Sequence, residues 1–223
     1  MYKLFRAASI GIACTLLASC ASTNAVLTER TQLVEYYRVF SFDGSTAPRA
    51  KMIEAARTGI AMSGVKVTDA RPIPPAQMPE RPGRYQATDP LKTTQFAAFA
   101  GQAAGLLKSA DCQGAVWTAR TIRGLGDDSA VLYLCMWEYR GGYNLDVYGN
   151  YLMTEGGISV KRLGRALAQP LVGTFEQTLE RLVNDVAREM QTASGVKVLF
   201  VEGYPEPTGE SWWTQSRSIT SSK

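Results

Sequence analysis

The sequence predicts an α+β domain: an antiparallel β-meander with helices packed on one face, preceded by a strand–helix–strand unit. Three observations carry this. Residues 114–163 hold four runs rich in β-branched and aromatic residues, punctuated by glycine turns. The segment from Phe175 to Met190 places Phe175, Leu179, Leu182, Val183, Val186 and Met190 at helical spacing. A strand, a helix and a second strand can be read ahead of the meander, over 36–42, 48–62 and 65–68.

Taken in order, Tyr36-Tyr37-Arg38-Val39-Phe40-Ser41-Phe42 has the composition of a strand, and Asp43-Gly44 ends it. A helix starts near Pro48 and runs to about Met62, with Met52, Ile53, Ala56 and Ile60 on its apolar stripe and Gly64 as its stop. Val65-Lys66-Val67-Thr68 begins the next strand. Residues 72–90 hold six of the ten prolines, which makes them a stiff, extended connection. A PxxP-type ligand is the alternative reading of that segment.

Asp89-Pro90 has the form of an N-cap with a first-turn proline, opening a helix to about Lys108. Its Gly101 and Gly105 suit close packing against a sheet or helix, because the apolar stretch is too short to span a membrane. Strands follow over 114–122, 130–139, 144–153 and 158–163. With Gly141-Gly142 as a two-residue turn, Arg140 pairs with Tyr143 and Cys135 with Tyr148. Leu132, Leu134 and Met136 then share a helix-covered face with Leu145, Val147 and Tyr151. Thr174-Phe175-Glu176-Gln177 fits a capping box, Gly195 stops the last helix, and Val196 to Val201 reads as the last strand.

A short motif recurs. Ala56-Arg57, then Ser63-Gly64-Val65-Lys66-Val67, returns as Ala187-Arg188, then Ser194-Gly195-Val196-Lys197-Val198, at a constant offset of 131 residues. It marks two helix–strand connections of similar geometry. Either a duplication or the ordinary grammar of helix stops produces it.

The N-terminus bears on compartment. Lys3 and Arg6 precede an apolar run from Ala7 to Ala18, the order of a secretory signal peptide. The run falls short of the roughly 20 apolar residues a membrane-spanning helix needs. Leu17-Ala18-Ser19-Cys20 follows. These residues resemble the lipobox of bacterial lipoproteins: a branched apolar residue, two small ones, then Cys. The resemblance implies diacylglycerol on the Cys20 sulfur and cleavage before it. Two acyl chains make anchoring stable, at about 0.8 kcal/mol per buried CH₂. Ala21, where an aspartate could stand, resembles the pattern sent to the outer membrane.

The resulting layout is a signal peptide over 1–19, a lipidated Cys20 and tether over 20–32, one domain over 33–202, and a polar tail over 203–223. Cleavage removes Lys3 and Arg6, so the net charge drops from +4 to +2, too balanced for nucleic acid.

The chain has no His, which excludes Ser-His-Asp and Cys-His catalysis and His-ligated zinc. Ser63-Gly64-Val65-Lys66 has Ser-x-x-Lys spacing without its companion elements. Asp127-Asp128 lacks the ligand spacing of a calcium loop. No catalytic residue, metal ligand or cofactor is therefore expected. Cys112 and Cys135 are expected to form a disulfide in an oxidising compartment, with free buried thiols as the alternative.

The candidate binding surface is the second face of the meander, with Tyr133, Trp137, Tyr139 and Tyr148, together with Trp212 and Trp213 of the tail. Burial of the sheet rings under the Pro-rich segment or the tail is the competing outcome, and the rarity of exposed aromatic patches favours it; Trp212-Trp213 reads as a partner anchor, a membrane-surface contact or a clamp on the domain's own sheet. The leading expectation is a non-enzymatic binding or assembly module, held at the outer membrane by its lipid, facing the periplasm and an envelope protein partner. A binding protein for cell-wall glycan or lipid, and a carboxylate-based hydrolase, are the alternatives.

Overall fold

The computed structural model describes residues 30–89, 108–125, 128–155, 175–207 and Trp213. Cys20, Trp212, the helix expected over 90–108 and the strand expected over 158–163 lie outside them. Two units are distinguished, residues 1–32 with 153–173 and residues 33–152 with 174–223.

The elements are β1 (Arg30–Asp43), α1 (Arg49–Met62), β2 (Val67–Ala70), β3 (Gln86–Thr88), β4 (Ser109–Asp111), β5 (Trp117–Leu125), β6 (Asp128–Tyr139), β7 (Gly142–Glu155), α2 (Phe175–Ser194) and β8 (Leu199–Tyr204). Six strands form one antiparallel sheet in the order β2-β5-β6-β7-β1-β8. β3 and β4 pair in a separate ribbon. The fold is α+β, as the sequence predicts.

Period-two alternation sorts the meander into two faces. Leu132, Leu134 and Met136 on β6 and Leu145 and Val147 on β7 are fully buried on one of them. Ring contact between Tyr151 and Phe175, and the bond from the Tyr143 hydroxyl to the Ala47 carbonyl, bring α2 and the start of α1 to that face. The helices cross at Gly59, where a Cβ would come within 2.4 Å of the Val186 Cα. Only hydrogen at position 59 permits so close an approach.

Arg38 of β1 is buried with the core, its guanidinium 4.5 Å over the Tyr36 ring and paired with Glu180 of α2. A charge so buried needs that partner.

Two expectations are corrected. The β6–β7 turn sits earlier, pairing Tyr139 with Gly142 and Cys135 with Asp146 instead of Tyr148. Gly142 holds φ at 136°, and a Cβ there would lie 2.3 Å from the Phe42 carbonyl oxygen. Close passage of β1 thus keeps position 142, the first residue of β7, free of a side chain. The correction moves each partner by two residues, so every side chain keeps its face. The second concerns the tail. β8 continues through Gly203 and Tyr204, and Trp213 is fully buried, 5.1 Å from the Phe40 ring and 6.3 Å from the Phe200 ring. That indole belongs to the core and not to a partner surface.

The recurring motif has a structural counterpart. Gly64 and Gly195 both take left-handed backbone, φ 66° and 71°, after α1 and α2. The strands that follow, β2 and β8, form the two opposite edges of the sheet.

Candidate binding site

The second face of the meander is covered by the Pro-rich segment, which acts as a strap. Proline suits this role because an extended strap leaves few N–H groups to satisfy. The Pro79 carbonyl accepts from the Arg140 N–H at 3.0 Å. Gly83 lies flat on the Trp137 indole, where a Cβ would be 2.3 Å from Nε1. Tyr85 packs on Tyr148 with ring centroids 4.9 Å apart. Beneath lies a small second core of Ala115, Cys135 and Trp137, with Tyr85, Ala110 and Cys112 packed against it. The Trp137 Nε1 donates to the Gln113 carbonyl at 3.1 Å.

One buried carboxylate pins the strap. Asp146 of β7 is wholly inaccessible, and it accepts from Arg84 Nε at 2.9 Å, the Tyr85 N–H at 3.1 Å and Asn144 Nδ2 at 2.6 Å. Burial raises its pKa, and these three donors only partly oppose that rise. Arg84 reaches further, bridging to Glu202 of β8 at 2.5 Å, and both of these side chains are about half exposed.

From Tyr148 a line of rings crosses the sheet. Tyr85 stands 6.2 Å from Tyr37 of β1, and Tyr37 is stacked on Tyr204 of β8 at 6.4 Å with an interplanar angle of 26°. Tyr37 and Tyr204 are also cross-strand partners. The line ends at Tyr204, which is 54% exposed.

Strict alternation along β8 would put Phe200, Glu202 and Tyr204 on one face. A β-bulge prevents it: Phe40 pairs with Phe200 but Val39 with Glu202, so Val201 is the extra residue. Phe200 therefore enters the core while Glu202 and Tyr204 turn to the strap face. A second half-exposed ion pair, Lys108 with Glu35, flanks the line on the opposite side from Arg84 and Glu202. Burial, and then the Glu35 charge, push the Tyr148 hydroxyl up to about 12.

The residues read from the sequence divide as follows. Trp137 and Tyr148 are buried under the strap, and Trp213 is buried in the core. Tyr139 is partly exposed, and its hydroxyl donates to Asp43. Tyr133 lines a separate shallow groove of about 410 Å³, with Thr68, Asp111, Cys112 and Arg120. Cys112 and Cys135 are bonded, their Cα atoms 5.8 Å apart. The bond ties the end of β4 to β6 beneath the strap. Tyr37, Tyr85, Tyr204, Arg84 and Glu202 escape the sequence reading. The signal that exists is the recurrence of Tyr on β1 and β8, but the bulge hides its phase.

Asp69, which also lines that groove, accepts from the Trp117 indole N–H at 2.9 Å and from Arg57 at 3.0 Å. Its burial penalty is outweighed by those donors, so its pKa falls. Among the described residues no group of three or more His, Cys, Asp or Glu could hold a metal ion. No described helix is long and apolar enough to cross a membrane.

No protein-family model and no curated protein matches the chain. Among solved structures, a Staphylococcus aureus protein described as of unknown function aligns over 73% of this chain and 98% of its own, at 12% identity. The TM-score is 0.24, too low to bear on fold or role.

Proposed function

We propose that this chain is an exported bacterial lipoprotein, held at the outer membrane by lipid on Cys20 and facing the periplasm, and that its domain is a non-catalytic binding module. The observation that carries the reading is Leu17-Ala18-Ser19-Cys20, set behind Lys3, Arg6 and a short apolar run. The disulfide between Cys112 and Cys135 supports it, because such bonds persist in oxidising compartments.

The binding role draws on the strap face. Its aromatic line packs from Tyr148 through Tyr85 to Tyr37, and Asp146 holds Arg84 from beneath. Asp146 offers no open oxygen to a substrate, since its buried carboxylate is engaged by three donors. Asp146 is therefore not one of the open acids that the carboxylate-based hydrolase would need.

The test is intact mass and membrane fractionation of the native chain beside Cys20→Ala. A mature mass beginning at an acylated Cys20, with membrane association lost in the variant, is the expected result. An unacylated native chain that fractionates as the variant does overturns the tether.

A further inference from the structure

We infer that the exposed end of the tyrosine line, with the ion pairs beside it, is a glycan-binding platform that takes neutral pyranose rings. The inference deepens the binding-module reading and rests on it.

Three features select this chemistry. First, Tyr204 presents a broad aromatic surface. One side of its ring is stacked on Tyr37, and the side chain remains 54% exposed. The C–H face of a pyranose is apolar and flat, and it packs on such a ring as one aromatic packs on another. Second, polar groups stand where the hydroxyl edge of that sugar would lie. Glu202 is two residues from Tyr204 on the same strap-facing side of β8, about 7 Å along the strand. Arg84 binds Glu202 and sits next to Tyr85 in sequence. Both side chains are half-exposed, so each has bonding capacity facing solvent.

Third, the charges are already matched. Arg84 is paired with Asp146 and Glu202, and Lys108 with Glu35. An anionic phosphate or a charged peptide would have to break a pair to make its own. A neutral hydroxyl can donate to Glu202 and accept from Arg84 without breaking either.

The platform is also preorganised. Asp146 fixes Arg84 from below, and the bulge at Val201 aims Glu202 and Tyr204 at the same side. A ligand meets side chains that are largely ordered before it arrives.

The experiment uses the full-length chain in detergent. Tetrameric N-acetylglucosamine is titrated by calorimetry, and purified peptidoglycan sacculi are tested by co-sedimentation. Saturable binding to both is expected. Tyr204→Ala should weaken it by about tenfold, while Tyr204→Phe and Tyr204→Trp keep it within about threefold, because the ring face and not the hydroxyl makes the contact.

Thermal midpoints of all three variants should match the native chain, as befits a half-exposed ring. Absence of saturable binding to either probe overturns the proposal. So does binding that Tyr204→Ala leaves unchanged, or binding to sacculus stem peptides freed of glycan. Since the assay is done in detergent, its failure is independent of whether Cys20 carries lipid.

Discussion

Replacing Asp146 asks whether one buried carboxylate holds the strap to the sheet. In Asp146→Ala the Tyr85 N–H and the Asn144 side-chain amide lose their acceptor inside the protein. Each stranded donor costs about 1–3 kcal/mol. Arg84 adds little, because its side chain is 42% exposed and can turn to water while keeping Glu202. The expected loss is therefore about 2–6 kcal/mol. Asp146→Asn keeps one acceptor oxygen and should lose about 1–2 kcal/mol.

The pH dependence separates the two effects. Burial raises the Asp146 pKa over the opposition of Arg84, the Tyr85 N–H and Asn144. Between the ordinary carboxylate value, about 3.9, and the raised one, the native state binds more protons than the unfolded state. Stability from this group is thus greatest in acid and falls as pH rises through that window, by at most about 1.4 kcal/mol per unit. Asp146→Asn lacks the fall, so its deficit against the native chain should shrink from acid to neutral pH.

Urea unfolding at stepped pH measures this. Tryptic cleavage after Arg84 should also quicken in Asp146→Ala as the strap lifts. The reasoning is refuted if the alanine variant is as stable as the native chain with Arg84 equally protected. A native stability that rises with pH relative to Asp146→Asn would mean that attraction to Arg84 outweighs burial.

Two further outcomes probe the scaffold. Gly59→Ala brings a Cβ to 2.4 Å from the Val186 Cα, where a carbon contact wants about 3.5–4.0 Å. Parting the helices costs about 1–3 kcal/mol, and the better helix propensity of Ala returns up to about 1. A lowered urea midpoint is expected, with exposed Thr58→Ala as control, and an unchanged midpoint would remove the crossing from the account. Cys112→Ser opens a link between residues 23 apart in sequence, which should cost about 3 kcal/mol. Reductant should lower the native chain to the midpoint of the variant and leave the variant alone; two titratable thiols in unfolded Cys14→Ser/Cys20→Ser protein never exposed to reductant would disprove the bond.

The helix-facing side of the site's scaffold was easy to read because its signal is periodic and local. Leu132, Leu134, Met136, Leu145 and Val147 alternate without interruption, and the structure buries all five on one face. The strap face was harder. Trp137 and Tyr148 announce an aromatic surface, yet whether they are exposed depends on a segment some fifty residues or more earlier in the chain. Gly83 and Tyr85 decide it by lying on them. Trp213, from the far end of the chain, reads equally as a surface anchor or as a clamp on its own sheet, and only its packing beside Phe40 in the core selects the clamp.

By itself, the sequence determined the α+β class, the described meander strands and their faces, and both described helices. Each follows from periodicity or a turn residue, and such signals act over a few neighbours. Only the tertiary structure decided the β6–β7 register, the covering of Trp137 and the line from Tyr148 to Tyr204. Gly142 must yield to the Phe42 carbonyl, and the bulge at Val201 reverses the phase of β8. Asp146 meets Arg84 from 62 residues away. These are contacts between segments distant in sequence, which no local pattern encodes. The candidate site is made of them because binding surfaces form where separate segments converge.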